Sequence, residues 1–253
     1  MTSRQIALVT GASRGLGRST ALALAHRGVR VVVTYREDAQ GADDTVRVIT
    51  GAGGDALAMP LDIGDVDSFA AFGAELVEQL RARWNTENLD ILVNNAGIGI
   101  FAPLAEVTTA TFDAVVNTNF RGTFFLVQAL VPHIPAGGRI INVSTSLTRH
   151  ASPGTSVYSA SKAALEVLTR SLAIELGARG IRINAVAPGP SATDFNGGAM
   201  RDAPELRNNL AAQTALGRVG EPDEIGDAIA ALASDDMRWV TAERIEVSGG
   251  SLI

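Results

Sequence analysis

Short apolar runs alternate along the chain with longer stretches of helical period. The strand-like runs cover residues 5–9, 29–34, 55–59, 89–93, 139–143, 181–186 and 244–247. In several of them, such as Ile6-Ala7-Leu8-Val9 and Val31-Val32-Val33, the apolar residues are consecutive. That is the pattern of a strand covered on both faces. Between these runs, residues 15–27, 66–83, 109–131, 156–176 and 222–233 carry apolar positions at helical spacing. The alternation predicts an α/β fold, a doubly wound parallel sheet with helices on both faces and ligands at the carboxyl ends of the strands. Residues 189–217 form the longest segment without a strand signal and are rich in Gly, Ala and Asn. They predict a mobile substrate flap, about 190–217, within a single domain spanning 1–253.

Composition narrows the classes. With 46% hydrophobic and 19% charged residues over 253 positions, the chain has ample material for a packed core. A net charge of −6 and the lack of any basic run argue against nucleic acid or an anionic membrane as partner. There is no cysteine, which excludes disulfides, thiolate catalysis and Cys-ligated zinc. His26, His133 and His150 are scattered, so no metal is expected. No run approaches the ~18 apolar residues of a membrane span. Residues 1–4 lead straight into the first strand, too short for a signal-peptide core, and the expected location is cytoplasmic.

The first strand runs into Thr10-Gly11-Ala12-Ser13-Arg14-Gly15-Leu16-Gly17 and then an Ala- and Leu-rich helix. Glycines at 11, 15 and 17 allow a tight turn off the strand and a close approach to a pyrophosphate at the helix N-terminus. The second strand ends in Thr34-Tyr35-Arg36 before the first acid, Glu37. An acid at that end would grip the ribose 2′-hydroxyl of NAD, whereas a cation favours the 2′-phosphate of NADP. Arg36, with Arg14 in the loop, therefore favours NADP(H) over NAD(H). The other reading of Arg36 is a solvated turn residue paired with Glu37 or Asp38. The acids Glu37, Asp38, Asp43 and Asp44 read as a solvated helix start.

Tyr158 and Lys162 stand four residues apart on the helix over 156–176, hence on one face. A phenol with a pKa near ~10 is a poor base at neutral pH. An ammonium about 4 Å away at an effective dielectric of ~20 would stabilise the phenolate by roughly 4 kcal/mol, or about three pKa units. Taken alone, the pair could simply decorate a wet helix face.

The ordered set of Thr10 to Gly17, Leu61-Asp62-Ile63, Asn94-Asn95-Ala96-Gly97, Asn119 and Tyr158-x-x-x-Lys162 resembles the short-chain dehydrogenase/reductase family in its single-domain form. Pro188-Gly189 is a further match, and the resemblance spans essentially the whole chain. It implies a Rossmann-type fold and similarity to 3-oxoacyl-acyl-carrier-protein reductases and general ketone reductases. It further implies that Asp62 and Ile63 meet the adenine, and that Asn95, Ala96 and Gly97 line the adenosine ribose. Pro188, Gly189 and Thr193 would lie around the nicotinamide carboxamide. Asn119 would hold a water that links Lys162 to solvent. Lys162 would hold the nicotinamide ribose and lower the pKa of Tyr158, the general acid in carbonyl reduction and base in alcohol oxidation. Residues 149–153 and 194–200 should border the substrate pocket, and His150 is a candidate substrate contact.

The family places a Ser thirteen residues before its Tyr, where this chain has Thr145. A Thr hydroxyl has the same donor and acceptor capacity, with an added methyl. A one-residue shift of the loop would offer Ser146 instead; Thr145 is preferred, with Ser144 pointing elsewhere by strand alternation. The resemblance also implies a homodimer or homotetramer, for which residues 123–127 and the second half of the Tyr158 helix could supply a face. The rival readings are a regulator that binds NADP without turnover and a methyltransferase. The first would not need Tyr158, Lys162 and Asn119, and the second has no use for the Tyr-Lys pair.

Overall fold

Consecutive apolar runs become central strands here because each strand faces two cores. In the computed structural model, which describes residues 4–252, the first strand β1 (Ile6–Val9) sends Ile6 and Leu8 to one side of the sheet and Ala7 and Val9 to the other. The remaining strands are β2 (Arg30–Tyr35), β3 (Ala56–Pro60), β4 (Ile91–Asn94), β5 (Arg139–Val143), β6 (Arg182–Pro188) and β7 (Arg244–Val247). All pairings are parallel, in the order β3-β2-β1-β4-β5-β6-β7. The order reverses direction between β1 and β4, so a crevice opens at their carboxyl ends.

The helices between these strands are α1 (Gly15–His26), α2 (Ala39–Gly51), α3 (Phe69–Trp84), α4 (Thr109–Val116) and α5 (Thr123–Leu130). They continue with α6 (Ser156–Leu176), α7 (Ala199–Asp202), α8 (Pro204–Ala211) and α9 (Pro222–Ala233). One core joins Leu76 and Leu80 of α3 and Leu126 and Leu130 of α5 to Ile6, Leu8, Leu92 and Ile140. The other joins Leu24 of α1 and Ile225 and Ile229 of α9 to Ala7, Val9, Val93 and Ile141. The acids around 37–44 do start a helix. Asp38 caps α2, its Oδ1 accepting from the Gly41 N–H at 3.0 Å.

One expectation needs correction. The helix expected over 109–131 is broken by a π-helical turn, Asn117–Gly122, between α4 and α5. Asn117 and Asn119 are weak helix formers, and a π turn often marks a functional site. The segment 189–217 contains none of the strands β1–β7, as the sequence pattern has it. It holds α7, α8 and a kinked turn, Phe195–Gly198, in which Asn196 has φ 51°. No helix among the described residues is long and apolar enough to cross a membrane.

Candidate active site

The glycine loop is built as a stiff platform. Thr10 Oγ1 accepts from the backbone N–H of Asn95 and of Ala96, each at 2.9 Å. The Asn95 amide donates in return to the Thr10 carbonyl at 2.8 Å and the Gly11 carbonyl at 3.2 Å. The Ala12 N–H reaches the Thr34 carbonyl at 2.8 Å, which ties the loop to the end of β2. Gly11 and Gly15 have φ of 64° and 56°, and a Cβ at Gly17 would collide with the Gly11 carbonyl. The N-terminus of α1 has no side-chain cap and no acid in its first turn, so it is left open to an anion. Asn95 and Ala96 thus brace the loop, while Ser13 is buried and Leu16 leans on a core.

The groups expected around the adenosine end lie at the same sheet edge. Arg14 is exposed and makes no ion pair among the described residues. Arg36 pairs with Glu37 at 2.9 Å, as the alternative reading had it. Both side chains are more than half exposed, so the pair is a weak one that an anion could displace. Tyr35 ends β2 and packs partly on a core, its carbonyl accepting from the Leu61 N–H at 2.7 Å. Asp62 is exposed and accepts from the Gly64 N–H at 2.8 Å. The Ile63 side chain is a core residue, and its carbonyl packs closely on Gly122.

Tyr158 and Lys162 lie in the first two turns of α6 and are both buried, at 7% and 3% exposure. Thr145 has extended backbone (φ −160°), and its hydroxyl faces Tyr158. Ser146 begins the tight turn Ser146–Thr148, and Ser144 Oγ points away to Glu166 at 2.6 Å. The structure therefore sets Thr145 against the phenol. Asn119 is fully buried. Its Oδ1 accepts from the Ile98 N–H at 2.9 Å, and its amide donates to the Ile98 carbonyl at 2.9 Å and to Ser161 Oγ at 3.1 Å. Both amide protons are committed, so the side chain is first of all a strut for the chain leaving β4. A Cβ at Gly97 would stand 3.0 Å from Asn119 Oδ1 and 3.2 Å from Lys162 Nζ.

The electrostatics differ from the expectation drawn from spacing. Lys162 Nζ donates to the Val143 carbonyl at 2.8 Å, and burial brings its ammonium down to about 8. Burial pushes the Tyr158 phenol up to about 12, against the pull of the Thr145 hydroxyl. The lowering of Tyr158 by Lys162 is thus not found in this structure, where burial is the largest influence on each group. Lys162 is a base whose native pKa lies below its ordinary 10.5. The penalty for holding it charged is full below about pH 8 and is relieved as pH rises, because the unfolded chain keeps the proton and the native state releases it. Denaturant melts should show the wild type gaining up to ~1.4 kcal/mol per pH unit on Lys162→Met between about pH 8 and 10. Parallel pH responses in the two proteins would contradict the buried-ammonium assignment.

Two aromatic rings missed as catalytic neighbours flank Tyr158. Phe101 meets it edge-on at 5.5 Å between centroids, and Phe195 lies tilted against it at 5.8 Å. Phe195 comes from the segment expected to border the pocket, and it is seated on Gly99, where a Cβ would come within 2.6 Å of the ring. Phe101 carried only a weak signal, an aromatic in the loop after Asn-Asn-Ala-Gly. An open groove of about 480 Å³ lined by Phe101, Ala102, Pro103, Leu104, Pro153 and Gly154 leads away from this cluster. Thr193 is buried beside the glycine loop, its Cβ 3.8 Å from a Cβ built at Gly15. Pro188 ends β6, and the Gly189 N–H reaches the Val247 carbonyl at 3.0 Å. His150 is half-buried, and its side chain makes no hydrogen bond among the described residues. No metal-ligating cluster occurs among the described residues.

A family profile described as enoyl-(acyl carrier protein) reductase matches residues 11–251. An uncharacterized oxidoreductase of Methylorubrum extorquens is 43% identical over 246 residues, 97% of each chain. The chain belongs to the short-chain dehydrogenase/reductase family. As a member of it, the protein is an oxidoreductase, and its relatives include 3-oxoacyl-[acyl-carrier-protein] reductase of Staphylococcus aureus. That relative is 38% identical over 252 residues, 99% of both chains. Among solved short-chain dehydrogenase/reductases, the angucycline C-6 ketoreductase LanV with bound NADP superposes with a TM-score of 0.93 at 41% identity, covering 98% of this chain and 95% of that one. The reductase LugOII, which catalyses keto-reduction at C1 in lugdunomycin biosynthesis, gives 0.94 at 40% identity and 99% coverage of both.

Proposed function

We propose that the protein is an NADP-dependent reductase of ketone or 3-oxoacyl-type carbonyls, with Tyr158 as general acid. The observation that carries this reading is a buried phenol with the Thr145 hydroxyl facing it and Lys162 one turn on, at the sheet edge that also bears the open glycine loop. The residues fit a dinucleotide. The uncapped N-terminus of α1 and its turn take the pyrophosphate, Arg14 and Arg36 the 2′-phosphate, and Asp62 with Ile63 the adenine. Gly97 lies by the adenosine ribose, Lys162 by the nicotinamide ribose, and Pro188, Gly189 and Thr193 by the carboxamide. When bound, NADPH supplies the hydride.

Thr145 orients the carbonyl oxygen, and Tyr158 gives that oxygen its proton. A phenol held near 12 is fully protonated at neutral pH, so the site stands ready to donate. Reduction is the favoured sense, and the reverse reaction gains at alkaline pH. The segment 190–217 acts as the flap that brings Phe195 over Tyr158. The exposed Phe124, Phe125 and Ile174 offer a face for a second copy of the chain.

The test is loss of NADPH absorbance against a panel of cyclic ketones, open-chain ketones and 3-oxoacyl thioesters, with NADH in parallel. Turnover is expected with NADPH on at least one class. Replacing Arg14 and Arg36 together by Ala should raise KM for NADPH about tenfold and leave that for NADH unchanged. Tight NADPH binding with no turnover across the panel would favour the non-catalytic regulator instead.

A further inference from the structure

Arg244, on β7, reaches across the sheet edge to the loop that carries Thr145. Its side chain is 8% exposed and lies between Glu166 of α6, 2.8 Å from Nε, and Glu246, 2.5 Å from Nη1. Glu166 Oε1 also accepts from Ser144 Oγ at 2.6 Å and from Thr148 Oγ1 at 2.7 Å. Arg244 Nη2 donates to the Thr145 carbonyl at 3.2 Å and to Thr148 Oγ1 at 3.0 Å.

The Thr148 hydroxyl has a single proton and two acceptors within reach, Glu166 at 2.7 Å and the Thr145 carbonyl at 3.0 Å. The carboxylate is the nearer and the charged one, so the proton goes there. The Thr145 carbonyl then depends on Arg244 for its strong donor. Ser144, Thr145 and Thr148 are thereby fastened to α6 and β7 by charge-assisted bonds, and α6 is the helix that carries Tyr158. The loop and the phenol share one frame.

We propose that Arg244 and Glu166 are positioning residues that hold the Thr145 hydroxyl in line with Tyr158 for proton transfer to the substrate oxygen. This rests on the reading of Tyr158 and Thr145 as the proton-transfer pair. Neither Arg244 nor Glu166 touches the reacting atoms. They act through the backbone of Thr145, where a displacement well under a bond length weakens orientation of the carbonyl.

The experiment compares Arg244→Met, Arg244→Lys and Glu166→Gln with wild type, alone and combined with Thr145→Ala. It measures kcat, KM for the ketone, the Kd of NADPH and the melting temperature. Arg244→Met should lower kcat about 10- to 100-fold with the NADPH Kd within about twofold of wild type. Arg244→Lys, which keeps the charge but not the planar fork, should fall between. In the Thr145→Ala background, Arg244→Met should lower kcat little further, because its target is gone. If its effect on kcat multiplies fully with that of Thr145→Ala, or tracks only the loss of NADPH-binding protein, the network is merely structural and the proposal fails. Should Arg244→Met not fold, Glu166→Gln, which keeps shape and acceptor oxygen, carries the same cycle. Failure of the underlying reading is distinct: there, Tyr158→Phe retains its turnover.

Discussion

Tyr158→Phe is expected to lower kcat by about 10²- to 10⁴-fold, the range contributed by a positioned general acid. Binding of NADPH and the melting temperature should stay close to wild type. The ring stays, and with it the contacts to Phe101 and Phe195 that bury it. What is removed is a hydroxyl that burial keeps protonated up to about 12 and that faces the Thr145 hydroxyl. A carbonyl oxygen that gains electron density in reduction must then take its proton from solvent, beside two aromatic rings packed on the Tyr158 ring. Thr145 could still orient the substrate, so KM should change less than kcat. Stopped-flow or steady-state NADPH oxidation reads the rate, and quenching of protein fluorescence reads the binding. A Phe variant with most of its turnover would remove Tyr158 from the chemistry.

Gly17→Val is expected to weaken NADPH binding by more than about 100-fold, which is about 2.7 kcal/mol of binding free energy. The Cβ would collide with the Gly11 carbonyl and stand 2.5 Å from the Asn95 amide, both parts of the braced loop. Backbone and a doubly bonded amide cannot yield as a flexible side chain would. The turn must open, and with it the close approach that a pyrophosphate needs. Isothermal titration measures the loss, and a thermal melt of the ligand-free variant separates it from unfolding. Gly51→Ala is the control, since a Cβ there meets nothing within 4 Å and α2 ends at that residue. Unchanged NADPH affinity in Gly17→Val would mean that the nucleotide does not use this loop.

Much of the frame could be read before any coordinates. Residues 139–143, 156–176, 222–233 and 244–247 match β5, α6, α9 and β7 end to end. Local patterning suffices there, because Ile140-Ile141 and Ile245 with Val247 mark short β-branched runs and Pro222 marks the start of α9. The glycine loop and the Tyr-Lys spacing were legible for the same reason, as short-range patterns. The π turn was not. The Asn119 side chain was expected to have a polar task, but the motif says nothing of its bonds to Ile98 and Ser161 inside a π turn. The choice of Thr145 over Ser146 likewise rests on where the strand gives way to a turn. The pKa of Tyr158 depends on how deeply its surroundings, Phe101 and Phe195 among them, bury it, which no spacing along α6 encodes. Arg244 lies 96 positions from Thr148, and nothing in the run Arg244-Ile245-Glu246 announces that contact.

The account turns on carbonyl reduction at Tyr158, and the most direct measurement is product analysis with the wild-type protein. A prochiral ketone from the panel is incubated with limiting NADPH, and the alcohol is quantified by chiral chromatography beside the NADPH consumed. The predicted result is one alcohol per NADPH, in large excess of one enantiomer, as expected of a carbonyl held between Thr145, Tyr158 and the flanking aromatic rings. NADPH that binds but is not consumed, or is consumed without alcohol, would contradict it.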